Sequence, residues 1–142
     1  MIGVDTNILV YAHREEMEQH KACYELLIEL SESENEWAIA WPSFYEFLRV
    51  VTHKKGFGQP TPLKNALRYL RDLLECTNLK MIGHAPNHFE RLETLALATE
   101  SIGNKIFDVQ IAGCMLDNKV REIISADRDF LKFKGLRVIQ PF

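Results

Sequence analysis

The chain opens with Met1-Ile-Gly-Val-Asp-Thr-Asn7, in which a short apolar run stops abruptly at an acid. Such a run is typical of a buried strand, and the change to polar residues marks its C-terminal end. An acid directly after a core strand is expected to be partly buried, and burying an unpaired carboxylate costs free energy. Asp5 is therefore the first candidate for a functional carboxylate.

Beyond this segment, short apolar stretches alternate with helical patterns. Strands are predicted at 1–4, 37–41, 79–82, 122–125 and 136–139. Helices are predicted at 17–32, 42–53, 86–100 and 104–117, with a helical turn at 8–12 and a break at 56–60. A further helix is predicted from Pro62 onward, with Thr61 as its N-cap and one apolar face: Leu63, Ala66, Leu67, Leu70 and Leu74. This alternation favours an α/β sandwich with a mainly parallel sheet, in which sites form at the carboxyl ends of the strands.

Composition narrows the class of protein. The 142 residues fit one domain, and 46% hydrophobic with 26% charged residues excludes a disordered or low-complexity chain. No uncharged stretch exceeds nine residues, whereas a membrane helix needs about twenty. The N-terminus does not resemble a signal peptide, and three cysteines do not make a disulfide framework. We therefore expect a cytoplasmic protein.

Charge is unevenly distributed along the chain. The net charge is −3, but residues 1–48 carry ten acids and two bases, whereas residues 49–80 carry two acids and seven bases. This segregation indicates a surface with neighbouring acidic and basic regions, although solvated helix faces would give the same pattern.

Four acids stand near strand ends or helix starts, so one sheet edge could hold all of them: Asp5, Glu46, Asp108 and Asp127. Three of them also have structural interpretations. Ser43 and Glu46 have the spacing of a capping box, and Asp108 could favour the positive end of a helix dipole. Asp127 and Asp129 could be ordinary turn acids.

Crowded carboxylates repel one another unless a cation neutralises them. Hard oxygen ligands without cysteine or histidine select Mg²⁺ or Mn²⁺ over zinc. An ion held in this way can bind a phosphodiester and lower the pKa of a bound water. Flanking bases would then have to hold the nucleic-acid backbone, and six are candidates: Arg49, Lys54, Lys55, Lys64, Arg68 and Arg71.

The chain resembles the PIN-domain ribonucleases, specifically the VapC-type toxins of toxin–antitoxin pairs. The likeness covers essentially the whole chain, in the right order, and implies a single PIN domain over residues 1–142. Its fold would be a PIN-like three-layer α/β/α sandwich with a mainly parallel central sheet of about five strands. The matching segments are 4–14, 43–52, 103–112, 125–130 and 133–139.

The resemblance assigns roles to individual residues. The family's acidic quartet falls on Asp5, Glu46, Asp108 and Asp127. The first three would hold the metal, and Asp127 would complete the site or position the attacking water. Supporting positions beside the acids would be Thr6, Asn7, Ser125 and Asp129, with Ser125 orienting a carboxylate. Arg49 and Thr52, on the helix of Glu46, are candidates for contact with RNA or antitoxin.

The resemblance also implies an activity and partners. The activity would be Mg²⁺- or Mn²⁺-dependent endonucleolytic cleavage of structured RNA, either tRNA or ribosomal RNA, in the cytoplasm. The partners would be a second copy of the chain, giving a homodimer, and a VapB-type antitoxin whose C-terminal segment covers the acidic groove.

Two alternatives remain open from the residues. A non-catalytic PIN domain that binds RNA or serves as a scaffold would keep the fold without the chemistry, and its metal affinity would distinguish it. A haloacid-dehalogenase-like phosphatase would use Asp5 as a nucleophile but needs a second acid two residues later, where Asn7 stands. A zinc site at His84 and His88 is not expected, because Pro86 is predicted to start the helix after His84, so the two would not share a face.

Overall fold

A computed structural model describes residues 1–55 and 58–142, and within them five strands form one parallel sheet. The order is β3-β2-β1-β4-β5, and every neighbouring pair is parallel. The strands are β1 (Ile2–Val4), β2 (Trp37–Ala40), β3 (Leu79–Ile82), β4 (Glu122–Ile124) and β5 (Arg137–Ile139).

Six α-helices connect and cover the strands in the described part of the chain. They are α1 (Thr6–His13), α2 (His20–Glu32), α3 (Trp41–Thr52), α4 (Leu63–Leu74), α5 (His88–Thr99) and α6 (Lys105–Asp117). A short 3-10 helix at Arg128–Lys132 follows β4. None of the described helices is long and apolar enough to cross a bilayer.

Alternation along the strands divides the core into two layers. On β2, Trp37 and Ile39 point into one cluster with α1–α4, whereas Ala38 and Ala40 point into the other with α5 and α6. Successive side chains of a strand lie on opposite faces, so both faces of this sheet are covered. The predicted three-layer α/β/α sandwich is confirmed.

The start of α4 differs from the prediction. The helix begins at Leu63, and Pro62 occupies its N-cap position without a side-chain hydrogen bond. Thr61 is instead used in tertiary contacts, because its amide donates to the Val51 carbonyl (2.7 Å) and its Oγ1 lies 2.9 Å from His13 Nε2. Helix α3 ends at Thr52; of the predicted breaking segment 56–60, Gly56 and Phe57 lie outside the described residues.

The apolar face predicted for α4 is only partly used in the core. Ala66 and Leu70 are buried, but Leu63 is 59% exposed, and Leu67 and Leu74 are each 47% exposed. Helical periodicity identified which residues of α4 share a face but not how deeply they are buried, because α4 packs on α3 at the outside of its layer.

The strand order creates a crevice between β1 and β4. The chain runs from β1 outward to β2 and β3, then crosses to β4 and continues outward to β5 on the other side. Such a reversal leaves a gap at the carboxyl ends of the two central strands, where ligands bind in open α/β sheets. Asp5 follows β1 and Ser125 follows β4, so both residues lie at this gap.

Strand β1 and helix α6 approach each other closely through Gly3. Gly3 faces Met115 of α6, and a Cβ at Gly3 would overlap the Met115 thioether. Met115 is completely buried. The missing side chain at Gly3 therefore lets α6, which carries Asp108, lie close against the strand that carries Asp5.

We expect Gly3→Ala to lower the free energy of unfolding by about 1–3 kcal/mol, because an added methyl group overpacks this contact. Urea unfolding measures the change. Gly83→Ala is the matched control, since a Cβ there would meet Trp41 Cδ1 at an ordinary 3.8 Å. Equal stability of the two variants would contradict the proposed role of Gly3.

Candidate active site

An open pocket of about 330 Å³ lies at the carboxyl ends of β1 and β4. Its walls bring together the four acids singled out in the sequence, one further acid, and three polar or basic side chains. They are Asp5, Glu46, Asp108, Asp127, Asp129, Asn7, Asn104 and Lys105. The five carboxylates come from four separate segments of the chain, so only the folded sheet assembles them.

Asp5 is held at the floor of this pocket and is only 4% exposed. Its Oδ1 accepts a hydrogen bond from the Thr6 amide, and its Oδ2 accepts one from the Ser125 hydroxyl, both at 2.7 Å. Burial raises the pKa of Asp5 to about 7, and the nearby charges of Glu46 and Asp108 add to the increase. The two hydrogen bonds oppose this rise but do not cancel it.

A chain of hydrogen bonds links Asp5 to the turn after β4. The Ser125 oxygen also accepts from the amide of Asp127 (2.9 Å), and Asp127 Oδ1 accepts from the amide of Asp129 (2.8 Å). Asn7 Oδ1 accepts from the Ala126 amide across the same crevice, at 3.4 Å. Asp127 therefore has the turn-capping contact expected of a structural acid, while its Oδ2 is left for other partners.

Glu46 does not form the capping box that its spacing with Ser43 suggested. Helix α3 begins at Trp41 with Ala40 as its N-cap, so Ser43 lies inside the first turn. Among the described residues, the buried Ser43 hydroxyl finds no hydrogen-bond partner. The capping-box interpretation is wrong because the helix starts earlier than the motif requires, and the Glu46 side chain lines the acidic pocket instead.

Asp108 lies in the first turn of α6 and is half-buried in the acid cluster. Burial raises its pKa to about 6, and the charges of Asp127, Glu46 and Asp129 contribute, whereas Lys132 lowers it. A helix dipole acting alone would lower the pKa of an acid at this end. Burial, together with the crowding of like charges, thus outweighs the dipole that the sequence offered as a structural explanation.

The acids that lie closest together differ from the predicted ligand trio. Carboxylate oxygens of Asp108, Asp127 and Asp129 lie within 4.8 Å of one another. Asp108 belongs both to this group and to the predicted trio with Asp5 and Glu46. The donors lining the pocket are oxygens without histidine or cysteine, a set that fits a hard divalent cation such as Mg²⁺ or Mn²⁺.

Lys105 and Asn104 also line the acidic pocket and were not selected from the sequence. Lys105 Nζ lies 3.8 Å from Asp129 Oδ2, which supplies one positive charge at the rim. Both residues belong to the segment 103–112 that matched the family. Their proximity to Asp108 along the start of α6 was the signal that could have identified them.

The residues predicted to contact RNA or antitoxin lie in separate parts of the structure. Arg49 lines a second pocket together with Glu46, whereas the Thr52 hydroxyl donates to the Leu48 carbonyl at 2.6 Å. Lys54 and Lys55 are exposed after the end of α3. A stripe of exposed bases runs along α4 beside Leu63 and Leu67, and we call it the α4 basic stripe: Lys64, Arg68 and Arg71.

Removing the charge of Asp5 should stabilise the metal-free protein at high pH. The pKa of Asp5 is raised from 3.8 to about 7, so its ionisation costs stability that is fully present below pH 4 and lost as the pH rises to 7. At about 1.4 kcal/mol per pKa unit, Asp5→Asn in EDTA at pH 8 should raise the free energy of unfolding by roughly 1–4 kcal/mol.

Urea unfolding at pH 4 and pH 8 measures this effect, and the advantage of the variant should disappear at pH 4. The exposed acid Asp72 supplies the matched control, since Asp72→Asn should change stability little at either pH. A destabilised Asp5→Asn at pH 8 would show that the carboxylate is not strained by burial.

Solved structures share this fold. The chain superimposes on a chain of VapBC2 from Rickettsia felis, a complex bound to a fragment of its promoter DNA, with a TM-score of 0.71. Identity is 22%, and the match covers 99% of this chain and 98% of the other. VapC20 of Mycobacterium tuberculosis, described as a toxin that cleaves the sarcin-ricin loop, gives the same TM-score at 14% identity, covering 96% and 99%.

Sequence comparison agrees with the structural match. The model of the PIN domain family matches residues 2–136. Ribonuclease VapC43 of Mycobacterium tuberculosis is 31% identical over 141 residues, which cover 99% of this chain and 95% of the relative. Ribonuclease VapC33 of the same organism is 26% identical, covering 99% and 98%. The chain therefore belongs to the PIN-domain family and, within it, to the VapC ribonucleases.

Proposed function

We propose that this protein is a divalent-metal-dependent endoribonuclease, the toxin of a VapBC-type pair, and that it hydrolyses phosphodiester bonds in structured RNA in the cytoplasm. The observation that carries the proposal is the convergence of five carboxylates in one pocket, two of them with a raised pKa. Such a cluster is destabilising without a cation, and its position at the crevice between β1 and β4 is open to a large substrate.

Mg²⁺ or Mn²⁺ is the proposed cofactor. Asp5, Glu46 and Asp108 are the proposed ligands, and Asp127 and Asp129 lie close enough to Asp108 to complete the set. When bound, the ion would neutralise the acids, polarise a phosphodiester oxygen and favour the ionised form of a water. The hydrogen bond from Ser125 would keep the Asp5 carboxylate turned toward the pocket.

The remaining polar groups fit roles around the scissile phosphate. Asp127 Oδ1 is occupied by the Asp129 amide, which leaves Oδ2 to orient the attacking water and accept its proton. The water oxygen would then form the new bond to phosphorus as the ester bond breaks. Lys105 lies at the rim, where its ammonium can contact a non-bridging phosphate oxygen.

The proposed partners follow from charge and from the relatives. A VapB-type antitoxin is supported by similar solved structures, several of which are described as VapBC complexes. We also propose a homodimer. The α4 basic stripe, with Lys54 and Lys55, offers positive charge for the RNA backbone or for an acidic segment of the antitoxin.

The phosphatase alternative is weakened by the contacts of Asn7. Its Oδ1 accepts the Ala126 amide, so it serves as a link across the crevice and cannot replace the acid that this chemistry requires. A non-catalytic PIN domain would keep the fold but would not need five carboxylates at the cost in stability described above. Measurable affinity for Mn²⁺ in the wild-type protein and its loss in Asp5→Asn would favour the enzyme.

We expect the purified protein to make a few discrete cuts in total cellular RNA with Mg²⁺ or Mn²⁺, mapped by sequencing the new ends. EDTA and Asp5→Asn should each abolish them, with activity falling by at least about a hundredfold, because an amide binds the ion more weakly than a carboxylate. Asp72→Asn should cut normally. Cuts that survive Asp5→Asn would contradict the assignment of the site.

The α4 basic stripe should contribute to RNA affinity through counterion release. In the inactive Asp5→Asn background, we expect Arg68→Gln to weaken RNA binding several-fold and to reduce the slope of log Kd against log salt by about 0.7–0.9. Arg121→Gln is the control, because this exposed base lies at the amino end of β4 and not on α4. An unchanged slope in Arg68→Gln would assign the stripe to a protein partner.

A further inference from the structure

A second pocket, also of about 330 Å³, adjoins the acidic one, and Glu46 lines both. We call it the aromatic pocket. Its walls are mostly apolar and include four planar side chains: Trp41, Tyr45, His84 and Phe107. The walls also include two polar side chains, Arg49 and Gln110. Apart from Glu46, the proposed metal chemistry uses none of these side chains.

The aromatic side chains in the walls of this pocket are exposed to solvent, which costs free energy. Packing in the core does not explain this exposure. Tyr45 is 74% exposed, Phe107 52% and Trp41 44%. They come from the N-terminal halves of α3 and α6, the same segments that bring Glu46 and Asp108 to the acidic pocket. Exposed aromatic side chains grouped beside a polar site are typical of a binding surface.

His84 is held in the wall by a buried anchor. Its ring lies 4.0 Å from the ring of His88, and His88 Nδ1 is hydrogen-bonded to Asp117 Oδ2 at 2.8 Å. Asp117, whose side chain is 1% exposed, also accepts from Arg91 Nε (2.9 Å) and from the Ala85 amide (3.2 Å). These contacts tie down both sides of the turn that carries His84.

His84 lies before the start of α5, as expected, but its ring nevertheless contacts the ring of His88. Helix α5 begins at His88, and the turn before it folds back so that the two rings meet. Gly113 on α6 makes room for this arrangement, because a Cβ there would lie 3.0 Å from His88 Cε1. The anchor makes His84 a fixed wall of the pocket.

We propose that the aromatic pocket binds one unstacked base of the RNA, next to the phosphate that is cut in the acidic pocket. This inference rests on the proposed function and deepens it by naming a subsite of the substrate. Proteins hold single-stranded bases by stacking them on aromatic rings and bonding their edges. Here the rings are provided by the pocket walls, and the Gln110 amide can donate to and accept from a base edge.

Charge favours a base over other flat or apolar occupants. The pocket opens beside Glu46 and the rest of the acid cluster, so an anionic group would be repelled, whereas a neutral base would not. Arg49, one turn after Glu46 on α3, can pair with the phosphate of the same nucleotide. Because Glu46 lines both pockets, a base in one places its neighbouring phosphate at the other.

The two tryptophans of the chain provide a test that does not depend on cleavage. Trp41 lines the pocket, whereas Trp37 lies at the other end of β2, roughly 10 Å away, with its Nε1 donating to Asn78 Oδ1. In nitrogen–proton NMR spectra of the metal-free full chain, we titrate the four ribonucleosides, which are neutral and are therefore not repelled by the acid cluster. At least one should shift the Trp41 indole signal saturably and leave the Trp37 signal in place.

Variants separate stacking from general effects. Phe107→Ala should weaken the nucleoside affinity by about tenfold, because a stacked base is worth ~1–3 kcal/mol. Phe89→Ala is the matched control, since Phe89 is 70% exposed on α5 and outside the pocket. Asp5→Asn should leave the Trp41 shift intact while abolishing RNA cleavage, so a failed nuclease and a failed base subsite give different results.

The proposal also predicts an effect on cleavage itself. In an RNA oligonucleotide spanning a mapped cut, one abasic ribose next to that cut should lower kcat/KM by about tenfold or more. Combined with Phe107→Ala, the two losses should be much less than additive, because both remove the same stacking contact.

Two results would overturn the proposal. The first is the absence of a Trp41 shift with all four nucleosides. The second is an equal weakening in Phe107→Ala and Phe89→Ala. If the first is found and sedimentation also shows a dimer that Phe107→Ala dissociates, the pocket is assigned to a second copy of the chain.

Discussion

Repulsion among carboxylates in one crevice is the constraint on which the rest of this structure depends. Asp5 is buried at the end of β1, and its pKa is raised by that burial and by the acids around it. The fold tolerates this cost because the two hydrogen bonds from Thr6 and Ser125 hold the carboxylate in place. Because bringing these acids together costs stability, the site is expected to bind a cation. The sheet must hold the acids close together in the absence of that cation.

The sheet and its covering helices achieve this by placing small residues where elements must approach. Gly3 lets α6 lie against β1, and Ala38 and Ala40 offer the same helix a flat surface on β2. Asp108 and Phe107 both project from the first turn of this helix. The acidic and aromatic pockets therefore share a support, and a change in the packing of α6 would disturb both.

Asp117 is a second acid that holds part of the structure in place, at the other side of the site. A buried carboxylate with three donors is stable in its charged form, and the pKa of Asp117 is lowered by His88 and Arg91 despite its burial. This is the opposite of Asp5, whose buried carboxylate has no positively charged partner among the residues that the structure describes. The contrast separates an acid that anchors a turn from acids arranged to meet a cation.

The sequence by itself determined the strands, the parallel α/β class and the candidate acids, because apolar runs that end at polar residues are local features. It could not determine which acids lie closest, the unused capping box at Ser43, or the exposed half of the α4 face. These depend on where helices start and how deeply they pack, and both are decided by contacts between distant segments. The aromatic pocket is the clearest case, since its walls come from α3, α6 and the turn after β3, which only the tertiary structure brings together.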